Sequence, residues 1–471
     1  MPTLIWKDLR HHVSEWLWSL LVATVGGTII GVVITSWWSA VQWSLTHPDG
    51  PYMLASNILG SNMVSYIGVA TALVISTTLG LTVTAQQRSH ALWKVLGIPG
   101  RRIRSVILWQ VCAVGLVGGL LGGLLALPTT RVYLLTWREF SLFPDDLPLS
   151  MPLFGIPATM LVTALFSVLG GAGTARRAAN VPEMQALREA ASPKTRTKLW
   201  QWIAAGFFLI PVVLMPILIN LPPEALHSAH TPEMPDVPAE AATADFESPG
   251  DRAVLGGGIG LMVTLAALFI PNWTVRPLLI GWTSLIPGRS PAWFAARANA
   301  RHRSAFSLTT IVPFAIAVAM TGVFHTVANA GRAAGGMHGG VNGFLTIMVP
   351  IFFIAGAGGI ANIAMVGRTR RQEGALLGVI GARSGTILGS TILEGAIYAI
   401  TGILFGLAVT LLSATSAALM SGGGMEVFIG SIPVTTLLPA IGASLVLAIT
   451  TTWLPAQLDR RPMMENLRQP V

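Results

Sequence analysis

The chain contains 471 residues, of which 52% are hydrophobic and 10% are charged, and its formal net charge is +9. Soluble proteins carry roughly 25% charged residues, so this composition excludes a soluble globular protein and predicts an all-α integral membrane protein. The positive charge lies between apolar runs, which is typical of membrane topology, and we expect no nucleic-acid partner.

Ten apolar runs are candidate transmembrane helices, because each has roughly the 20 residues needed to cross a bilayer. They lie at about 18–38, 64–86, 105–127, 152–174, 201–220, 254–271, 307–329, 345–367, 386–414 and 433–455. An even number of runs places both termini on one side. Only four of the 29 Lys and Arg residues lie on the other side, namely Arg131, Arg138, Arg252 and Arg332. The positive-inside rule therefore predicts cytoplasmic termini and contact of the basic loops with membrane lipid.

A short basic segment at 87–97 separates the second and third runs and ends in glycine. A similar segment at 371–381, which begins 284 residues later, separates the eighth and ninth runs and also ends in glycine. Gln110 lies 13 residues after the first glycine, and Glu394 lies 13 residues after the second. The chain is therefore predicted to contain two parallel copies of one unit.

This duplication divides the chain into three predicted parts. Residues 1–190 form a first four-helix repeat with an N-terminal amphipathic helix, and residues 291–471 form a second four-helix repeat. Residues 191–290 supply two linking helices and an acidic outer loop at 221–253, which is rich in Pro and Ala. A loop of this composition does not pack a core, so we expect no large extracellular domain. The loop is interpreted as a solvated spacer, and attraction of a cationic substrate is the alternative.

The sequence lacks the motifs of an ATP-hydrolysing or metal-dependent enzyme. It has no Gly-x-x-x-x-Gly-Lys-Ser/Thr phosphate loop and no His-Glu-x-x-His segment. Cys112 is the single cysteine, and His227 and His230 are two possible metal ligands without a third. We therefore expect no catalytic residue, metal site or cofactor in this chain.

Three polar side chains are predicted inside the membrane: Gln110, Asn362 and Glu394. A charge in hydrocarbon is costly, so Glu394 is a candidate for function. Its counterpart Gln110 is neutral, so a structural hydrogen bond to a neighbouring helix is an equal alternative, and a proton relay ranks third. For Asn362, near an inner helix end, helix packing or termination is the favoured interpretation.

The two basic segments carry the strongest functional signal. Their apolar residues recur at helical spacing, while their basic residues stay available to solvent. The candidate residues are Arg88, Trp93, Lys94, Gly97, Arg101 and Arg102 in the first segment, and Arg371, Glu373, Gly381 and Arg383 in the second. Such amphipathic helices can dock in a groove of a soluble partner, and the alternative is that they lie on anionic lipid. One surface repeated in one chain favours two copies of the same partner.

These segments resemble those of the FtsX-like permease family of ABC transporters, which includes macrolide-exporter and bacitracin-exporter permeases. The second copy has the family pattern at Arg370, Glu373, Gly381, Ala382 and Glu394. The first copy departs from it at Ser89, Pro99 and Gln110, although its closing segment at 182–188 fits better than the one at 462–468.

The resemblance implies that the segments at 87–104 and 368–385 contact two copies of an ABC ATPase subunit, which would bind ATP and Mg. It also implies a bacterial cytoplasmic membrane. The count of ten runs is similar to the bacitracin-exporter branch, but the large external domain of that branch is not expected here. Sensing of an antibiotic peptide is therefore not expected either.

The favoured function is the membrane subunit of an ABC transporter that exports or extracts a lipid-like or amphiphilic compound through mechanical coupling to a separate ATPase. The alternative is an FtsX-type regulatory module that transmits the ATPase state to a cell-wall enzyme or a sensor kinase. A secondary transporter is disfavoured, because few ionisable residues lie within the apolar runs.

Overall fold

The computed structural model describes residues 13–46, 68, 70–83, 86–138, 150–180, 197, 199–219, 248–288, 290–302, 304–335 and 342–458. These residues form helices without any strand. The helices are α1 (Val13–Thr46), α2 (Ala70–Val83), α3 (Gln87–Val95), α4 (Gly100–Arg138), α5 (Gly155–Asn180), α6 (Leu199–Ile219), α7 (Pro249–Phe269), α8 (Pro271–Leu285), α9 (Pro291–His302), α10 (Ser304–Ala333), α11 (Asn342–Val379), α12 (Ser384–Ser421), α13 (Gly424–Ser431) and α14 (Val434–Leu458). The predicted all-α fold is confirmed.

Seven segments in the described part of the chain are long and apolar enough to cross a membrane. They lie in α1, α4, α5, α7, α10 and α12 and in the α13–α14 pair. Shorter apolar helices occupy α2, α6 and α11. Each of the ten predicted apolar runs coincides with one of these segments, so the protein is a multi-pass membrane protein. A helix satisfies its own backbone hydrogen bonds, which lipid cannot do.

The two halves share one mode of close helix packing. Glycines of α4 contact α1, and glycines of α12 contact α10 at corresponding positions. The pairs are Gly118 with Ala23 and Thr24, Gly122 with Gly27 and Thr28, Gly402 with Phe314 and Ala315, and Gly406 with Val318 and Ala319. An added Cβ at any of these glycines would come closer than 3.0 Å to the neighbouring helix. Small residues that let two helix backbones approach closely are typical of helix contacts in membranes.

The linking helix α7 packs chiefly against second-half helices and α6. Three of its glycines, Gly256, Gly257 and Gly260, lie against α10 and α12. The hydroxyl of Ser413 donates to the Gly257 carbonyl at 2.7 Å, and that of Ser416 donates to the Gly256 carbonyl at 2.6 Å. The second half is therefore braced by a helix that lies outside the two repeated units.

The halves meet along a seam formed by α1, α2 and α11. A Cβ on Gly26 would lie 2.9 Å from the Thr71 methyl group and 3.4 Å from Ile354, and one on Gly358 would contact Val74. Thr82 donates to the Met365 sulfur at 3.3 Å. Val74 of α2 lies next to Gly358 of α11, and Thr82, further along α2, lies next to Met365, further along α11. The two helices therefore run parallel. The segments that follow them therefore lie at the same end of the bundle.

One prediction about the second basic segment needs correction. The second basic segment was expected to form a short amphipathic helix between two apolar runs, but residues 368–379 are the C-terminal part of the 38-residue helix α11. Arg, Gln and Glu are good helix formers, so the helix continues beyond its apolar part. Several other predicted elements lie outside the described residues: the N-terminal amphipathic helix before residue 13, the outer loop at 221–247 and the closing segments at 182–188 and 462–468.

Candidate coupling site

The first basic segment consists of helix α3 and a turn at Gly97. The Gly97 amide donates to the Lys94 carbonyl at 2.8 Å, and the Ile98 amide donates to the Trp93 carbonyl at 3.0 Å. This pair of bonds is the Schellman arrangement, which ends a helix with a left-handed residue. Gly97 has φ of +85°, where only glycine avoids a steric penalty.

The second basic segment ends in the same turn. The Gly381 amide donates to the Gly378 carbonyl at 3.0 Å, the Ala382 amide donates to the Leu377 carbonyl at 2.9 Å, and Gly381 has φ of +98°. The next helix also begins in the same register, because the carbonyls of Pro99 and Arg383 each accept from the amides three and four residues later. The two turns therefore correspond residue by residue, at a constant separation of 284 positions.

Each turn exposes two apolar side chains. Leu96 is 79% exposed and Ile380 is 83% exposed, and the preceding residues Val95 and Val379 are exposed as well. Four large apolar side chains therefore face outward at the basic end of the bundle. Paired exposed apolar groups with nearby positive charge form a surface suited to a protein partner.

Several predicted basic residues lie within a few positions of these apolar pairs. Arg101, Arg102 and Arg383 are exposed, and Lys94 is half-buried. Trp93, by contrast, packs partly against the main core cluster, so it anchors α3 to the bundle rather than facing outward. Three further predicted residues, Arg88, Arg371 and Glu373, lie in α3 and α11, but their side chains are not among those described.

The predicted intramembrane residues are separate from these turns. Glu394 is 1% exposed and accepts a hydrogen bond from the Tyr398 hydroxyl one helical turn later. The Ser307 hydroxyl lies 3.3 Å from the Tyr398 hydroxyl and donates to the Ala300 carbonyl at 2.7 Å. This chain of contacts connects α12 with the start of α10.

Asn362 also connects to the start of α10. It is fully buried, and its amide donates to the Thr309 carbonyl at 2.8 Å. Gln110, at the position that corresponds to Glu394, is fully buried in α4. Asn362 thus bonds to a neighbouring helix, whereas Glu394 bonds to Tyr398 within α12 and is connected to α10 only through the contact of Tyr398 with Ser307. Sequence reasoning missed Tyr398 and Ser307, because a hydroxyl in an apolar helix gives no signal of its distant partner.

The duplicated turns and the apolar helices agree with a comparison to known families. A family model described as FtsX-like permease C-terminal matches this chain twice, over residues 62–182 and 345–460. These two regions cover half of the chain, and each contains one of the two turns. No curated protein matches the chain.

Proposed function

Since the chain belongs to the FtsX-like permease family and is the membrane subunit of an ABC transporter-type system, we propose that it moves a lipid-like or amphiphilic compound by mechanical coupling to a separate ATPase. The two turns would each contact one copy of the ATPase subunit, which would bind ATP and Mg. The duplicated, exposed Gly97 and Gly381 turns are the observation that carries this proposal.

The path from the second turn to the seam supports mechanical coupling. Helix α11 is continuous from Asn342 to Val379, so it includes Gly358 and Met365 at the seam and ends at the turn. A helix is a stiff element, and a displacement at its end is transmitted along its length. Closure of two bound ATPase subunits would therefore move the lining of the seam.

The composition of the seam supports an amphiphilic substrate. Apart from the Thr82 hydroxyl, which donates to the Met365 sulfur, its described contacts are made by small and apolar groups, among them Gly26, Ile75, Ile354 and Gly358. An ion or a sugar would need polar groups along its path, because desolvation of charge in the membrane is costly. An acyl chain needs no polar groups along its path. Separation of the two halves would expose an apolar surface, which an acyl chain can contact without loss of hydration.

Purification with the ATPase tests the proposal. The chain alone is expected to hydrolyse no ATP and to copurify from its native membrane with a nucleotide-binding subunit, in two copies per chain by mass measurement of the intact complex. A stable complex without an ATPase subunit would remove the proposal.

Cross-linking tests the contact itself. In a Cys112→Ser background, Leu96→Cys and Ile380→Cys should each cross-link to the ATPase subunit. Leu419→Cys is the matched control, because Leu419 is also a highly exposed apolar residue but lies near the far end of α12. Equal cross-linking at Leu419 and Ile380 would contradict a specific docking surface.

A further inference from the structure

Helices α8 and α9 form a basic, aromatic segment next to the second turn. Between Asp251 and Glu373 the sequence contains no acidic residue, yet residues 272–306 contain five arginines. Helix α9 packs through Ala296 and Ala300, which are fully buried, and a Cβ on Gly389 of α12 would lie 3.5 Å from Ala292. Trp282 of α8 donates to the Thr401 hydroxyl of α12 at 2.9 Å. The segment thus lies along the N-terminal half of α12, the half that follows Gly381.

Two arginines of α9 reach back to the C-terminal end of α8. Arg301 donates to the Thr283 hydroxyl at 2.9 Å and to the Ile280 carbonyl at 2.9 Å, and Arg297 donates to the Ile286 carbonyl at 3.3 Å. The end of a helix carries partial negative charge, which favours cations there. A guanidinium has five donors, so these three bonds use fewer than half of those that the two arginines offer.

The two positive charges lie close enough to affect each other. Partial burial, followed by the charge of Arg297, lowers the pKa of Arg301 from its ordinary value. Like charges four residues apart on a helix destabilise it. An anion bound next to Arg297 and Arg301 would reduce this repulsion.

The described acidic side chains do not supply that anion. Glu394 is buried and bonded to Tyr398, while Asp251 is bonded to Ser248 at the start of α7. Glu426 lies in α13, beyond the far end of α12. Within the part of the chain that the structure describes, no acidic side chain forms an ion pair with Arg297 or Arg301.

Exposed apolar side chains flank the arginine pair. Phe294 shares a face of α9 with Arg301, seven residues away, and is 60% exposed. Leu285, at the end of α8, is 83% exposed, and Trp273 near its start is exposed too. Arginine beside exposed aromatic and aliphatic groups is typical of the boundary between headgroups and acyl chains.

We propose that Arg297 and Arg301 bind the phosphate of an anionic phospholipid in the leaflet at the end of the bundle that holds the two turns, with Phe294 and Leu285 against its acyl chains. The segment of the first half that would correspond to it, before α1, lies outside the described residues. The proposal does not depend on the transport function, since it rests on charge and exposure at α8 and α9.

Native mass spectrometry of the purified complex tests this site. The protein is reconstituted in nanodiscs of phosphatidylcholine with a minor fraction of phosphatidylglycerol, and retained phosphatidylglycerol is counted after release. Arg297→Gln is expected to weaken retention about tenfold, because charge-assisted hydrogen bonds to the phosphate are lost. Arg104→Gln is the matched control, an exposed arginine at the same end of the first half, and should retain lipid like the unchanged protein.

Two further measurements distinguish a phospholipid site from a site for free phosphate and from a protein interface. Arg301→Gln would remove two hydrogen bonds between α9 and α8, whereas a change of Arg297 removes only the longer bond to the Ile286 carbonyl. Arg297→Glu is therefore the charge-reversal variant, and it should abolish retention. Inorganic phosphate added in excess should not displace the lipid, because phosphate has no acyl chains to contact Phe294 and Leu285. Unchanged retention in Arg297→Glu overturns the proposal. The proposal is also overturned if Arg297→Glu fails to bind the ATPase subunit in lipid-free detergent, because that result would assign the arginines to a protein partner.

Discussion

At the scale of single residues, the glycines of the two turns are positions where substitution is expected to change the backbone conformation. Gly97 and Gly381 have positive φ, and nothing lies within 4 Å of an added Cβ, so the conformation and not crowding limits substitution. Alanine in the left-handed region costs about 1–2 kcal/mol. Gly97→Ala and Gly381→Ala should therefore distort the turns and lower transport per ATP hydrolysed, while the melting temperature of the membrane bundle stays nearly unchanged.

Gly385→Ala is the control for this experiment. Gly385 also has open space around it, but it lies within the first turn of α12 and has no positive φ. Transport and ATP hydrolysis measured side by side should be normal in this variant. Normal coupling in both turn variants would show that the shape of the turns is not needed.

Glu394 offers a second test at this scale. Its bond to Tyr398 needs an acceptor and not a charge, and the corresponding residue Gln110 is neutral. Glu394→Gln should therefore keep transport near normal, whereas Tyr398→Phe should lower stability by about 1 kcal/mol through loss of one hydrogen bond. Thermal unfolding and transport assays distinguish the two. Loss of transport in a fully folded Glu394→Gln protein would indicate a role for the charge.

At the scale of helices, the glycine contacts of α7 decide how firmly the second half is braced. A Cβ at Gly256 would lie 2.6 Å from the Ser416 carbonyl oxygen and 2.8 Å from the Ala417 Cα, and backbone atoms cannot easily move. Gly256→Ala should destabilise the protein by about 1–3 kcal/mol. Gly258→Ala, two positions away with nothing within 4 Å, should instead be neutral or gain up to about 1 kcal/mol from helix propensity. Thermal unfolding in detergent compares them, and equal stability of the two variants would contradict the observed packing.

The positions of the helices were also the feature that the sequence predicted best. Lipid permits few backbone structures, so the apolar runs located each long apolar helix in the described part of the chain. The end of α11 was missed because its polar residues end the hydropathy signal but not the helix. The contacts of Tyr398 with Ser307 and of Arg301 with Ile280 join residues far apart in the chain, and no local pattern predicts which partners meet.

At the scale of the whole molecule, the orientation in the membrane remains a prediction from charge. In a Cys112→Ser background, Glu240→Cys should react with a membrane-impermeant reagent only from outside the cell, since its loop lies opposite most Lys and Arg residues. Arg383→Cys is exposed at the turn and should react only after the membrane is opened. The reverse pattern of labelling would invert the topology.

The two halves should contribute unequally to coupling, although their turns have the same geometry. The first turn follows the nine-residue helix α3, whose described contacts with α4 and α5 are few, whereas the second ends the 38-residue helix α11 that also lines the seam. Force at the second turn therefore reaches the seam through one continuous helix. Charge reversal on a solvent-side docking surface, where both arginines are predicted to lie, costs little stability but alters that surface. Arg371→Glu should thus lower transport per ATP several-fold more than Arg101→Glu, with both rates measured in the same reconstituted complex. Equal losses would mean that the turns act as a symmetric pair and that the continuity of α11 gives the second half no mechanical advantage.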